Sequence, residues 1–391
     1  MFVFRSAFLV CCAVLGGCWQ STTVLFHETS PPLQPGRWGE VTPVAAERGR
    51  WANVAACPAG AICSYGTSGV TLDPSNPSVV YLCIDNLGLW RSETSGSTWT
   101  RLGDGVPDMV DDAFTSYLDS PSWVAVDPAN PRHLYAVQST HGLTHGFWVS
   151  QDRGQTWTTP EGFASATFRG MPIEGNVVSL SVDPSRFDHL LIGLHGVGGI
   201  GESSDGGASW RFVAPDVAWG GETRSAHILH EPALGVGVAS TWLVIDDHEG
   251  FWRTTDAGAS WTQVSPQPGM QGGSEVRYAS DGALYAGATQ YPMRSLDNGA
   301  TWSLIEGGLF YGAYHTIGSD GAQLYAHPDT PNDVPYFTSS VDDGTAWTTA
   351  DTFLPVPGTP FAMTFDATHR VLFSSNGQGG LWALLVPPLG S

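Results

Sequence analysis

The sequence predicts an all-β fold: a seven-bladed β-propeller of four-stranded antiparallel blades, closed by pairing its N- and C-terminal strands. Three observations carry this expectation. A turn motif recurs at blade spacing, two apolar strands precede its copies, and a final set of strands has no motif after it.

The motif has the form Ser-x-Asp-x-Gly-x-Thr-Trp. Six segments match it: Ser92–Trp99, Ser150–Trp157, Ser203–Trp210, Thr254–Trp261, Ser295–Trp302 and Ser340–Trp347. The first copy has Thr94 where the others have aspartate. Successive copies start about 40 to 60 residues apart, the length of a four-stranded blade. An aspartate at this place accepts backbone N–H bonds within its own turn, and glycine supplies a positive φ. Asp152, Asp205, Asp256, Asp297 and Asp342 are therefore expected to brace turns rather than perform chemistry. The tryptophan begins the outer strand and is expected to pack between neighbouring blades.

Ahead of the first three copies, GVTLDPSNPSVVYLCID, WVAVDPANPRHLYAV and VSLSVDPSRFDHLLIGL alternate apolar residues into an Asp-Pro turn and out along a second strand. Asp73, Asp127 and Asp183 belong to those turns. A third strand then leads into the motif, as GLWRS, GFWVS, GIGES and GFWRT in the first four blades. Pro360 to Leu384 gives two strands and then GLWAL, with no further copy. Arg50–Val54, with Trp51 leading, is expected to supply the missing outer strand and so pair edges that would otherwise be exposed. Six motif blades and this composite make seven.

The strands run through most of the 391 residues, so 36–391 is read as one domain. The formal net charge is −21 and every basic residue is arginine. Such a surface disfavours nucleic acid, whose phosphates need clustered cations. At the N-terminus, Arg5 precedes an apolar run, Ala7 to Gly17, too short to span a bilayer. Leu15-Gly16-Gly17-Cys18 resembles the bacterial lipobox, in which the cysteine is acylated. Residues 1–18 are thus expected to be a lipoprotein signal peptide and 19–35 a flexible tether. That implies an exported lipoprotein of the cell envelope, touching the membrane only through its anchor. Cys57 and Cys63 share one short loop and can form a disulfide in an exported protein, whereas Cys83 lies in a strand and reads as a buried apolar residue.

The chemistry is expected around the central funnel, in loops leaving the second strand and loops entering the next blade. Asp85 stands seven positions before Ser92, and Asp247 seven before Thr254, each just after an apolar strand. In a ring of seven these blades lie nearly opposite. Corresponding loops hold His141, His145, His195, His248, His327 and Asp329, and the entering loops add Glu174, Trp219, Glu222, Arg224, Tyr311, Tyr314 and His315. Aromatics stack on sugar rings, while His, Asp and Arg serve proton transfer and carboxylate binding, so a sugar or uronic acid suits this set. No metal-ligand spacing stands out among the histidines. No cofactor is expected, and a structural calcium on the acidic run Asp108 to Asp112 stays open.

The motif resembles the Asp-box, or BNR repeat, of sialidases, sortilin-type receptors and glycan-cleaving propellers. Trp51-x-Asn53-Val54, the stretch VTLDPSNPSVVYLCIDNLGLWRS, SQDRGQTW and VVSLSVDPS together resemble the N-terminal propeller of family-seventy-four glycoside hydrolases, the xyloglucanases. The resemblance implies the catalytic-base position for Asp85. That family places its substrate between two propellers and takes its acid from the second, whereas this chain holds one. Asn86 to Leu89 also replaces the family's double glycine. The blade pattern is shared with sortilin-type and photosystem-assembly propellers, which are not enzymes.

The leading expectation is a monomeric, surface-anchored glycoside hydrolase with a carbohydrate ligand, Asp85 as base or nucleophile and Asp247 as acid. Substrate would be held by His141, His195, His248, Trp219, Arg224 and Tyr311. A uronate-specific lyase is the second enzymatic expectation, with His141, His195 or Tyr311 abstracting a proton and Arg224 neutralising the carboxylate. The third is a non-catalytic binding or assembly propeller.

Overall fold

The computed structural model describes residues 32–43, 66–84, 87–102, 123–137, 146–168, 171–173, 177–194, 199–213, 224–229, 239–269, 276–278, 282–288, 292–305, 315–319, 324–328, 338–340, 348–349, 362–377 and 379–387. It is an all-β propeller. After a short strand β1 (Trp38–Glu40), sheets follow one another along the chain, each ordered as its strands are. The first holds β2 (Thr67–Asp73), β3 (Asn76–Ile84), β4 (Gly88–Ser92) and β5 (Thr100–Leu102). Next come β6 (Trp123–Val126), β7 (Leu134–Val137) and β8 (Phe147–Ser150), then a one-turn helix, Glu161–Ala164, and a ribbon of β9 (Thr167–Phe168) and β10 (Met171–Pro172).

Four-stranded sheets resume with β11 (Val177–Asp183), β12 (Arg186–Leu194), β13 (Ile200–Ser203) and β14 (Arg211–Val213). The next contains β15 (Arg224–Ile228), β16 (Trp242–Asp246), β17 (Gly250–Thr254) and β18 (Thr262–Ser265). It is followed by β19 (Val276–Tyr278), β20 (Leu284–Ala286), β21 (Met293–Ser295) and β22 (Ser303–Leu304). Then come β23 (His315–Ser319), β24 (Leu324–Pro328), β25 (Thr338–Ser340) and β26 (Thr348–Thr349). The last sheet joins β27 (Ala362–Asp366), β28 (Val371–Ser375) and β29 (Leu381–Leu385) to β1, with Trp38 opposite Leu384 and Glu40 opposite Trp382.

Two expectations change. Among the described residues six sheets have four strands, but β6–β8 has three. Its outer position is held by one bridge, in which Val149 and Thr158 exchange both backbone bonds at 2.8 and 2.9 Å. Pro160, two residues on, has no N–H with which to extend a ladder. The second change concerns ring closure: the outer strand is Trp38–Glu40, and Arg50–Val54 lies outside the described residues. Both segments read Arg-Trp-x-x-Val, so pattern alone could not choose between them. The earlier one is fixed by contacts: Val41 donates its N–H to the Leu381 carbonyl (2.9 Å) and accepts Trp99 Nε1 (2.8 Å).

Apolar clusters join each sheet to the next. Phe373 and Ala383 pack with Val80 and Leu82; Tyr81 and Leu89 with Leu134 and Trp148; Phe147 and Val137 with Ile192. Leu191 and Ile200 meet Trp242 and Val244, Leu243 and Phe251 meet Leu284, β20 contacts β23, and Tyr325 meets Met363 and Leu372. Phe147, Phe251 and Phe373 are fully buried, each worth about 1.5–3 kcal/mol of transfer free energy. First strands contact one another across sheets, β2 with β6 and β27, and β11 with β6 and β15, which places them innermost. Cys83 is buried as expected, and burial pushes its thiol pKa up. Among the described residues no helix is long and apolar enough to cross a membrane.

The repeated turns show why the motif recurs. In the second copy Ser150 Oγ accepts the Gly154 amide (2.8 Å) and donates to Asp152 Oδ1 (2.9 Å). Asp152 then accepts the Thr156 amide (2.8 Å) and hydroxyl (2.6 Å), and Trp157 Nε1 returns to the Gly154 carbonyl (2.9 Å). The copies around Asp205, Asp256 and Asp297 repeat this pattern. In the first copy the Thr94 hydroxyl takes over, accepting the Thr98 amide at 2.9 Å. Arginine from the preceding sheet latches onto the carbonyl just before the motif glycine: Arg91 to Arg153 (3.0 Å), Arg211 to Ala257 (3.2 Å) and Arg253 to Asn298 (3.0 Å). In the sixth copy, residues 341–347 lie outside the described residues.

Candidate functional site

Antiparallel order sorts the turns onto two ends of each sheet. Hairpins between first and second strands share one end with the motif turns; hairpins between second and third strands lie at the other. At the motif end aspartates serve the backbone. Asp73 accepts the Ser75 amide, Asp127 the Ala129 amide and Asp183 the Ser185 amide, each at 2.8 Å. Hydrogen bonds from the Ser260 and Thr254 hydroxyls hold the Asp256 carboxyl down at about 2. Partial burial works against ionisation of Asp152, Asp205 and Asp297, yet their hydroxyl and amide donors still hold them below the usual carboxylate range.

At the opposite end the β16–β17 hairpin presents two adjacent aspartates. Asp246 is fully buried, and its Oδ1 accepts the amides of His248 (2.9 Å) and Glu249 (2.8 Å). Its carbonyl accepts the Gly269 amide (2.8 Å), and Gln263 Nε2 donates to the Glu249 carbonyl (2.6 Å). Gly250 closes the loop at φ +85°, where a Cβ would run into the Ser265 carbonyl. Asp246, Gln263 and Gly250 thus hold the backbone of the loop. The Asp247 side chain is 5% exposed, and its Oδ1 accepts His248 Nδ1 at 2.8 Å, while the imidazole is 64% exposed. A carboxylate only accepts, so Nδ1 carries a hydrogen.

Asp247, His248 and the backbone of Arg224 meet here, because Arg224 stands opposite Asp246 in the β15–β16 ladder. The predicted register also appears in the first sheet, where Ile84 pairs with Gly88 as Asp246 pairs with Gly250. Asp85, His141, His195, Trp219 and Tyr311 lie outside the described residues, as do Cys18, Cys57, Cys63 and Asp108 to Asp112. His145, Glu174, Glu222, Tyr314 and Asp329 do too, and for Arg224, His315 and His327 only the backbone is described. Sequence reasoning missed Asp246; its signal was the tandem Asp-Asp ending an apolar strand. Asp246, Asp247 and His248 each offer one ligand atom within 4.8 Å of the others. The set can therefore exchange a proton or face a divalent cation.

No family profile matches the chain. Among curated proteins, it is 28% identical over 259 residues to a xyloglucanase of Paenibacillus sp, covering 60% of this chain and 24% of that protein. It is also 28% identical over 217 residues to an oligoxyloglucan-reducing end-specific xyloglucanase of Emericella nidulans, covering 51% and 24%. To a xyloglucanase of Hypocrea jecorina it is 25% identical over 334 residues, covering 71% and 38%. These relatives are xyloglucanases. The match spans about a quarter of the length of the first two. Among solved structures, the GH74 xyloglucanase from Xanthomonas campestris superposes with a TM-score of 0.59 at 21% identity, over 90% of this chain and 53% of that one. YCF48 bound to a D1 peptide superposes with a TM-score of 0.57 at 13% identity, over 94% of this chain and all of that one (100%). Both likenesses concern the fold.

Proposed function

We propose that the protein is a glycoside hydrolase acting on a polysaccharide of the xyloglucan class. The observation that carries the proposal is the similarity to xyloglucanases of three organisms across 51% to 71% of the chain. In this scheme Asp85 is the general base and Asp247 the acid, each seven positions before the first residue of its motif copy. A pair spanning the funnel, with carboxylates about 6.5–9.5 Å apart, leaves room for a water and gives inversion. His248, bonded to Asp247, orients that carboxyl. His141, His195, Trp219, Arg224 and Tyr311 complete the sugar site.

The proposal extends to the scaffold. The sheet β6–β8 counts as the seventh blade, with Thr158 marking its outer strand, and the motif is the Asp-box, or BNR repeat. Cys18 carries the lipid anchor of an exported protein, and the protein acts as a monomer.

The test is a reducing-end assay of the protein on xyloglucan, with ultraviolet absorbance followed in parallel. New reducing ends without absorbance are expected. Asp85→Asn and Asp247→Asn should each lower turnover by about 100-fold or more while leaving Tm unchanged. Absorbance at each cut would make it a lyase, and binding without cleavage would make it a binding propeller.

A further inference from the structure

Among the described residues, three sheets pair an aspartate with a histidine at the hairpin between first and second strands. The pairs are Asp127 with His133 (3.6 Å), Asp183 with His189 (2.9 Å) and Asp366 with His369 (2.6 Å). His133 and His189 hold one ladder position, just before Leu134 and Leu190, which face the motif residues Ser150 and Ser203. Their surroundings differ. His133 is 18% exposed and meets one carboxylate at long range; desolvation lowers its pKa despite Asp127.

His189 is fully buried, with Nδ1 2.9 Å from Asp183 Oδ2 and Nε2 3.2 Å from Glu202 Oε1. Desolvation opposes its charge as well, yet the hydrogen bonds to Glu202 and Asp183 raise its pKa above 6.5. The geometry requires the charge. A neutral imidazole has one N–H and one lone pair, so one of these carboxylates would face a lone pair; an imidazolium donates to both.

The partners of this ring lead across to the next sheet. Asp183 Oδ2 also accepts the Ala239 amide (2.9 Å), whose carbonyl accepts Trp242 Nε1 (2.9 Å). Glu202 Oε2 accepts Arg211 Nε (2.6 Å), and that guanidinium continues to the Ala257 carbonyl (3.2 Å). The charged groups around His189 are Asp183 on β11, Glu202 on β13, Asp188 beside it on β12 and, through Glu202, Arg211 on β14. From β16 the neighbour is the uncharged Trp242 ring, 6.0 Å away.

We propose that His189 is a charge-locked clasp: a buried imidazolium between two carboxylates that fastens the sheet β11–β14 to β15–β18 and opens on alkalinisation. Its raised pKa makes its contribution to stability complete below the unfolded value of 6.5 and lost as pH rises through the folded value. Glu202 is lowered, so its contribution is complete above 4.5 and lost as pH falls through its folded value. The clasp is therefore whole between these two limits.

The test follows Tm of the full chain from about pH 5 to about pH 9 for wild type, His189→Gln and Glu202→Gln, with NMR shifts of the His189 ring nitrogens. Wild type should lose roughly 2–4 °C more than His189→Gln above about pH 6.5. Glu202→Gln should move the wild-type decline to lower pH, and both ring nitrogens should be mostly protonated at about pH 6.5, where an unfolded ring is half neutral. If His189→Gln does not fold, the Glu202→Gln profile and the wild-type nitrogen shifts decide. A His189 that is mostly neutral at about pH 6.5, or parallel profiles for wild type and a folded variant, overturns the proposal.

Discussion

The motif turns and the β16–β17 hairpin are both tight turns organised by an aspartate, yet they leave different groups for chemistry. In the turn around Asp205 one carboxylate accepts the Ser203 hydroxyl and the Ser209 amide and hydroxyl, at 2.6 to 2.8 Å. In the hairpin two neighbours divide the labour: Asp246 takes the turn amides, and Asp247 meets the His248 imidazole instead. An aspartate that its turn uses up is scaffold. In the hairpin the neighbour takes the bracing duty, and Asp247 holds an imidazole instead.

The largest effect expected from attacking this contrast is at a motif glycine. Gly258 sits at φ +80° with Val213 Cγ1 and Trp242 where a Cβ would go. Gly258→Ala should cost about 2–4 kcal/mol, read by urea unfolding, because left-handed backbone strain adds to a collision with the preceding sheet. A smaller loss, roughly 2–4 °C in Tm, is expected for Asp205→Ala, which removes three turn hydrogen bonds but leaves the backbone permissive.

Acid should loosen the motif turn. Asp256 is held down at about 2, so its contribution is complete above 3.8 and vanishes as pH falls through about 2. Asp256→Asn should therefore flatten the acid limb of the Tm profile. The smallest effect is a gain. Thr94→Asp restores the second acceptor oxygen to the first motif and should raise Tm by about 1–2 °C.

Much of this scaffold was legible because its determinants are local. Alternation and the Ser-x-Asp-x-Gly-x-Thr-Trp turn act within a few residues, so strands such as Gly88–Ser92 and Gly250–Thr254 could be placed from sequence. What depended on long-range choice was not legible. Arg37–Val41 and Arg50–Val54 carry the same pattern, and Leu381 and Trp99 select the first. Pro160 lies where the second sheet lacks a fourth strand among the described residues, a local signal that the motif spacing does not carry. Seven-residue spacing found Asp247 yet could not show that Asp246 braces the loop. His189 looked like one polar residue in an apolar strand, since its partner Glu202 comes from the next strand and Arg211 from the one beyond.

The central claim, that chemistry resides at the Asp247 end and structure at the motif end, is tested most directly by one paired measurement. Asp247→Asn and Asp256→Asn are assayed side by side for xyloglucan turnover per folded molecule and for Tm at neutral pH. The account predicts that Asp247→Asn loses about 100-fold or more in turnover at unchanged Tm, while Asp256→Asn loses Tm and keeps its turnover. Full turnover in Asp247→Asn, or its loss in a folded Asp256→Asn, would contradict it.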